Sequence, residues 1–309
     1  MGIVNVGVIG AGYLGKFHAE KYASLANCNL IAIADINEQT ANEIADTHIN
    51  AKAYTDHSAL LDIVDAVSIV TFTDSHYAIA KDFLQRGKHV LSEKPMTSDQ
   101  PQAEELIQLA KQHNAVLQIG HIERFNPTVL ALDERLEDVK FIESHRLSPF
   151  RARGTDVNVV LDLMIHDIDI ILSIVKSDIR CIDSSGMQVL SDGIDIANAH
   201  ITFENDCVAN VTASRVSDKS ERKLRLFQTN AYFSCDLGNH SLKAYTRQAG
   251  EIKPESFSFE KQDALLAEVT HFLQCIENNS TPLVSGIDGL RALKTAHEIA
   301  SNMKIHTST

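Results

Sequence analysis

The chain has 309 residues, long for one domain and comfortable for two, and its 44% hydrophobic and 22% charged content is that of a globular protein. Lys and Arg number 28 against 41 Asp and Glu, and the net charge of −13 argues against non-specific binding to nucleic acid or an anionic membrane. No apolar run approaches the roughly eighteen residues that cross a bilayer, no secretion signal is recognisable, and five scattered cysteines without a C-x-x-C pair suit free thiols, so a cytoplasmic protein without a metal site is expected.

Residues 3–9 form a short apolar run of strand type, followed by Gly10-Ala11-Gly12-Tyr13-Leu14-Gly15 and by helical spacing from Lys16. A G-x-G-x-x-G between a strand and a helix has the context of a dinucleotide site. Gly10 permits the tight turn, Gly12 lets the backbone approach a pyrophosphate, and Gly15 lets helix and strand pack closely. A second buried run, residues 30–34, ends in Asp35, twenty residues after Gly15. A carboxylate there accepts hydrogen bonds from ribose hydroxyls and repels a 2′-phosphate, so NAD is the expected cofactor rather than NADP. The plainer reading is a glycine-rich turn with an unrelated surface Asp.

Residues 37–45 read as a helix capped by Asn37, 52–54 as a strand, 58–63 as a helical turn and 66–70 as a buried strand. A helix over 77–86 stops at Gly87, and the strand 89–92 delivers Glu93-Lys94-Pro95. A helix over 101–113 and a strand over 115–121 complete an alternation that predicts a parallel, doubly wound sheet. Ligands bind at the carboxyl edge of such sheets, where Lys94 should project.

The rhythm then changes. Residues 128–136 read as a helix, 140–146 alternate with period two, and 157–175 form a long apolar helix interrupted by Asp and His. Strand-like runs at 196–203, 207–216, 223–229, 232–236 and 241–246 are separated by Asn, Asp and Gly turns, as in an antiparallel sheet. Helices over 262–277 and 287–303 close the chain. The expected fold is α/β: a Rossmann domain over 1–121, then an α+β domain over 122–309 with a large, mainly antiparallel sheet.

Lys94 is the first chemical candidate, since its ammonium can hydrogen-bond a substrate oxygen and steady charge during hydride transfer; the alternative is a surface lysine in a turn. Asp162 and His166 share a helix face four residues apart. A histidine there can act as general base, with Asp162 orienting it or contacting the substrate, although Asp169 competes as its partner and a satisfied core histidine is the bland alternative. His76 can face the nicotinamide or simply open a helix. Arg124 can clamp an anion or touch the cofactor, beside the Asn126-Pro127 turn, and Arg151 and Arg153 are candidates for binding a phosphate or else a solvated loop.

Taken together, Gly10-x-Gly12-x-x-Gly15, Asp35, the Thr-x-x-x-His ending at His76, Glu93-Lys94-Pro95, Arg124-Phe125-Asn126-Pro127 and Asp162-x-x-x-His166 resemble the Gfo/Idh/MocA oxidoreductase family over nearly the whole length. The resemblance implies an active site of Lys94, Asp162 and His166. It implies a cofactor site of Gly10, Gly12, Tyr13, Leu14, Gly15, Asp35, Thr71, Thr73, His76, Glu93, Lys94 and Arg124. Substrate contacts would fall to Arg124, Asn126, Arg151 and Arg153, and the open sheet would join a homodimer or homotetramer. Val159, Val160 and Met164 stand where many members have glycines, which alters the pocket shape. The implied reaction is NAD-dependent oxidation of a sugar hydroxyl, with the 3-hydroxyl of UDP-N-acetylglucosamine as the expected substrate and a 3-amino sugar for lipid A as its destination. The alternatives are an inositol or free-sugar dehydrogenase or reductase, or an NAD-binding regulator without chemistry.

Overall fold

The computed structural model describes residues 2–150 and 158–306. The chain forms two compact units, one of Met1–Phe125 with Asp263–Leu290 and one of Asn126–Gln262 with Arg291–Thr309.

The first unit is built on β1 (Val4–Ile9), β2 (Cys28–Ala34), β3 (Lys52–Tyr54), β4 (Ala66–Ile69), β5 (His89–Glu93) and β6 (Leu117–Gly120). They pair in the order β3-β2-β1-β4-β5-β6, every pair parallel. That is the doubly wound order, with its switch point between β1 and β4. Helices α1 (Tyr13–Ser24), α2 (Glu38–Ala45), α3 (Thr73–Leu84) and α4 (Gln100–Gln112) make the crossovers. The central β4 is buried along its whole length and β1 over its last four residues, as strands covered on both faces must be. Asn37 caps α2 by accepting from the Thr40 N–H, as its position before the helix predicts. α3 begins earlier than the apolar pattern suggests, at Thr73, so His76 lies within its first turns.

The second unit opens with α5 (Pro127–Leu130) and β7 (Val139–Leu147). The helix expected over 128–136 is thus a single turn, capped by Asn126 and followed by further turns. The long helix expected over 157–175 is wound in two ways, a π-helical turn over Val160–Met164 and then α6 (Ile165–Ile174). Asn158 opens it by accepting from the Val160 and Leu161 N–H groups.

β8 (Ile179–Met187), β9 (Ile196–Phe203), β10 (Val208–Ser214), β11 (Glu221–Gln228), β12 (Ala231–Asp236), β13 (Ser241–Gln248) and β14 (Glu251–Ser258) follow. With β7 and the short β15 (Lys304–His306) they form one sheet in the order β14-β13-β12-β11-β7-β10-β9-β8-β15. It is mostly antiparallel, but β10 pairs with β7 and β15 with β8 in parallel. β8, β14 and β15 carry no apolar alternation that would announce them. β14 contains Pro254 and is almost wholly exposed, as an outer strand can be. One face of the sheet carries the core with α6, through residues such as Ile142, Ile168, Ile171, Phe203 and Leu226.

The units are not continuous in sequence, so residue 121 does not divide them alone. α7 (Ala264–Asn278) returns to the first unit because its apolar stripe, Leu265, Val269, Phe272 and Leu273, joins the same core as Tyr22, Leu30 and Leu91. α8 (Gly286–Ser301) begins in that unit, where Gly289 lies against Ile119, and ends with Ala292, Ala296 and Ile299 in the core of the second. No helix among the described residues is long and apolar enough to cross a membrane.

Phe272 is fully buried in that shared core. Phe272→Ala should destabilise the protein by about 3–5 kcal/mol in denaturant unfolding, the usual cost of emptying a buried aromatic site. A loss well below about 1 kcal/mol would mean that α7 is an appendage.

Candidate active site

The turn after β1 leaves no room for side chains at two positions. Gly10 has φ +95°, and a Cβ there would sit 2.5 Å from the Val70 carbonyl oxygen beyond β4. A Cβ on Gly15 would overlap the Gly10 carbonyl oxygen, so α1 and β1 approach each other only because that residue is glycine. At Gly12 a Cβ would meet nothing within 4 Å. Gly12 is also the N-cap of α1, which has no side-chain cap and no acidic residue in its first turn. The amino end of a helix is a favourable place for an anionic ligand.

Asp35 follows β2, and its carboxylate accepts from the Ala11 N–H at 2.7 Å and the Asn37 N–H at 2.8 Å, one bond per oxygen. A carboxylate offers about four acceptor sites, so capacity remains for ribose hydroxyls. The residues fit a dinucleotide at this edge. Two apolar residues that the motif reading missed lie here as well: Ile36 after β2 is 96% exposed and Phe72 after β4 is 88% exposed. Tyr13 and Leu14 are exposed on the glycine turn too. Large apolar side chains at the carboxyl ends of neighbouring strands suit the faces of an adenine ring; a hydrophobic residue directly after the acid was the available signal.

Thr71 and Thr73 flank Phe72, and the Thr71 hydroxyl accepts from Ser75 at 2.7 Å. His76 is buried, with Nδ1 at 2.9 Å from the Pro95 carbonyl oxygen and Nε2 at 3.0 Å from that of Thr71. Its ring is a strut between the ends of β4 and β5, which it holds for the residues around it.

β5 ends in Glu93, Lys94 follows, and the Lys94-Pro95 peptide is cis. Glu93 Oε1 lies 3.1 Å from His18 Nε2, and Oε2 accepts from the Lys94 backbone N–H at 3.3 Å. Burial pushes the Glu93 carboxyl up; the His18 hydrogen bond and charge, then the Lys94 charge and N–H, outweigh this and hold it below the ordinary carboxylate value. His18 Nδ1 continues to Ser68 Oγ at 3.3 Å, and the Tyr22 hydroxyl reaches the same Oγ at 2.8 Å. Gly120 makes room for this carboxylate, because a Cβ there would sit 2.9 Å from Glu93 Cδ. His121 follows, buried, its pKa pushed down to about 3 by burial and then by the Lys94 charge, so its imidazole is neutral.

Arg124 donates to the Leu283 carbonyl oxygen at 3.2 Å. Asn126 is buried and occupied: Oδ1 accepts from the Thr128 N–H at 3.0 Å and Nδ2 donates to the Leu237 carbonyl at 3.0 Å. It is a helix cap in this structure. Arg151 and Arg153 lie outside the described residues.

In the second unit Asp162 sits on the π-helical turn and His166 in the first turn of α6, both half-buried. π-turns inside helices are frequent at functional sites. Next to His166 in the chain, Asp167 takes a bidentate pair from Arg146 of β7, Nε to Oδ2 at 2.9 Å and Nη2 to Oδ1 at 3.0 Å, both residues buried. Asp167 thereby anchors α6. Asp169 is buried as well.

Comparison with known proteins places this geometry in a family. Residues 4–121 match the model of an oxidoreductase family with an NAD-binding Rossmann fold, and residues 133–234 match the GFO/IDH/MocA C-terminal domain. The chain is 38% identical over 303 residues to UDP-N-acetylglucosamine 3-dehydrogenase of Acidithiobacillus ferrooxidans, covering 96% of each. The solved structure of that enzyme superposes with a TM-score of 0.93 over 98% of both chains. Myo-inositol 2-dehydrogenase of Thermotoga maritima is 24% identical over 94% of this chain and 93% of its own. A scyllo-inositol dehydrogenase from Lactobacillus casei, solved with NAD(H) and scyllo-inositol, shares the fold at TM-score 0.83 and 22% identity, covering 97% of this chain and 96% of its own.

Asp35→Ala should narrow the preference for NAD over NADP, read as the ratio of dissociation constants of the two cofactors. An unchanged ratio would take Asp35 out of cofactor selection.

Proposed function

The chain belongs to the Gfo/Idh/MocA family of NAD-binding oxidoreductases, and from that membership we propose that it oxidises the 3-hydroxyl of UDP-N-acetylglucosamine to the 3-keto sugar. The observation that carries this reading is the 38% identity over 96% of both chains with an enzyme of that name, against 24% for an inositol dehydrogenase of similar coverage. The resulting ketone is the substrate that a transaminase needs to make a 3-amino sugar, and lipid A is its proposed destination. A cytoplasmic setting follows from the nucleotide-linked substrate.

The glycine turn, the start of α1 and Asp35 would hold NAD, which would supply the hydride acceptor. His166 removes the hydroxyl proton as general base. Asp162, four residues before it, orients the imidazole or a neighbouring hydroxyl. Lys94 donates a hydrogen bond to the reacting oxygen and steadies the negative charge that grows there. Glu93, anionic and anchored by His18, holds the strand end that carries Lys94. Arg124 remains a proposed contact of substrate or cofactor.

The outer face of the sheet is where we place contacts between copies of the chain. Phe141, Phe227, Tyr232 and Tyr245 form a continuous aromatic row across β7, β11, β12 and β13, with Phe141 and Tyr245 exposed. Tyr245→Arg should lower the oligomeric mass in sedimentation; an unaltered assembly would move the interface elsewhere.

Lys94→Ala and His166→Ala should each lower kcat by on the order of 10²–10⁴ while NAD binding survives, as for loss of a positioned acid–base group. Near-normal turnover in both would refute the roles. NAD reduction against UDP-sugars, free sugars and inositols decides the substrate: turnover with UDP-N-acetylglucosamine is expected, and turnover with an inositol alone would overturn the proposal.

A further inference from the structure

Glu268, on the inner face of α7, is completely buried, and neither carboxyl oxygen has a hydrogen-bond partner among the described residues. The sequence offers no hint of its role, since it occupies a core position in an otherwise apolar stripe. The groups that act on it come from two directions. From β5 it feels the Glu93 carboxylate, and from α1 the buried Tyr22, whose hydroxyl is bonded to Ser68 and whose own ionisation Glu268 opposes. The neighbouring cation on α1, Lys21, is engaged with Asp263 at 2.7 Å. From β6, Gln118 donates to the backbone carbonyl of Glu268 at 3.1 Å and leaves the carboxyl alone.

Two interacting carboxyls, Glu268 completely buried and Glu93 largely so, cannot both carry charge cheaply, and the protein decides which does through their partners. Glu93 has the His18 ring at 3.1 Å, the Lys94 N–H at 3.3 Å and the Lys94 charge. Glu268 has no such partner. Burial first, and then the Glu93 charge, push its pKa well up.

We infer that Glu268 is a positioning residue that acts on Lys94 through Glu93: it keeps its own proton and so confines the buried negative charge to the carboxylate at the end of β5. This rests on the role given to Lys94 above. After His18, the Lys94 charge helps to hold Glu93 ionised, and the attraction between the two charges is mutual. Ionisation of Glu268 would set a second anion beside Glu93 and work against the bonds that fix the strand end. The sign follows from the raised value. Glu268 contributes stability that is complete below the unfolded-state value of about 4.3 and is lost as the pH climbs through its folded-state value. Glu93 works in the opposite sense, its contribution being lost as the pH falls.

The test is Glu268→Gln, whose amide has the shape of the protonated acid and cannot ionise, studied with NAD bound beside the wild type. Infrared difference spectra at neutral pH should contain the carbonyl stretch of a protonated carboxylic acid, present in the wild type and missing in the variant. The thermal midpoint should fall less steeply with rising pH in the variant. The variant should also keep a several-fold larger share of its neutral kcat/KM at about pH 9. No acid band, or parallel stability curves, would overturn the inference. An acid band with an unchanged pH–rate profile would make Glu268 a structural acid and overturn its link to Lys94. Should the variant not fold, the acid band of the wild type must disappear when the protein is unfolded at neutral pH, and its persistence or absence from the start would count against the idea. Full turnover by Lys94→Ala would instead defeat the reading of Lys94, while band and stability curve still decide the state of Glu268.

Discussion

The first unit depends on how closely α1 lies on β1. Gly15 permits that approach, because any side chain there would run into the Gly10 carbonyl oxygen. On the same buried stripe of α1, His18 and Tyr22 follow at helical spacing. With the helix seated, both reach Ser68 on β4, and His18 also reaches Glu93 on β5. The glycine usually discussed for its pyrophosphate-side packing therefore also sets the far end of a polar chain that finishes beside Lys94. A helix displaced outward by even a methyl group would lengthen each of these bonds at once, since they share one rigid element.

The second unit solves a comparable problem with charge. Six of the ten residues of α6 are Ile or Leu, and apolar packing alone leaves its register and rotation on the sheet loosely specified. The bidentate Arg146–Asp167 pair removes that freedom, since its planar geometry is satisfied at one position only. A buried pair of this kind adds little net stability but strongly penalises arrangements that separate it. Asp162 and His166 precede and adjoin that anchor, on a segment whose winding changes from π to α between them. On the π-turn the apolar Val160 and Met164 are buried, while Asp162 is half-buried.

Much of this was legible in the chain, and the limits have physical causes. The parallel sheet, the turn at Gly10–Gly15 and the cap at Asn37 each leave a local pattern, because strand burial, positive φ and capping act over a few residues. The same holds for Glu93-Lys94-Pro95 at a strand end. β8, β14 and β15 left none, since outer and polar strands are held by backbone pairing that any sequence can supply. The winding of 157–175 was hidden because an apolar run looks alike in π and α form. The return of α7 to the first unit could not be read either: an amphipathic stripe reveals that a helix packs, and says nothing of which core receives it. For the same reason, Asn126 looked like a turn residue and a substrate contact until its partner, 111 residues away in sequence, was known.

The distribution of buried polar groups carries the last step. Most of the first unit's core is aliphatic, with Val6, Val8, Ile33, Val67 and Leu91 lining its strands. Its polar interior gathers around the ends of β4, β5 and β6, in His18, Ser68, Glu93, Gln118, His121 and Glu268. Each of these costs desolvation, and several keep polar atoms that no described residue satisfies. A fold selected for stability alone would fill the space with Leu and Ile at lower cost. Concentrating the expense behind the one lysine at the carboxyl edge makes sense if the charge state at that lysine matters more than the stability forgone, and groups with strongly perturbed ionisation tend to mark such places.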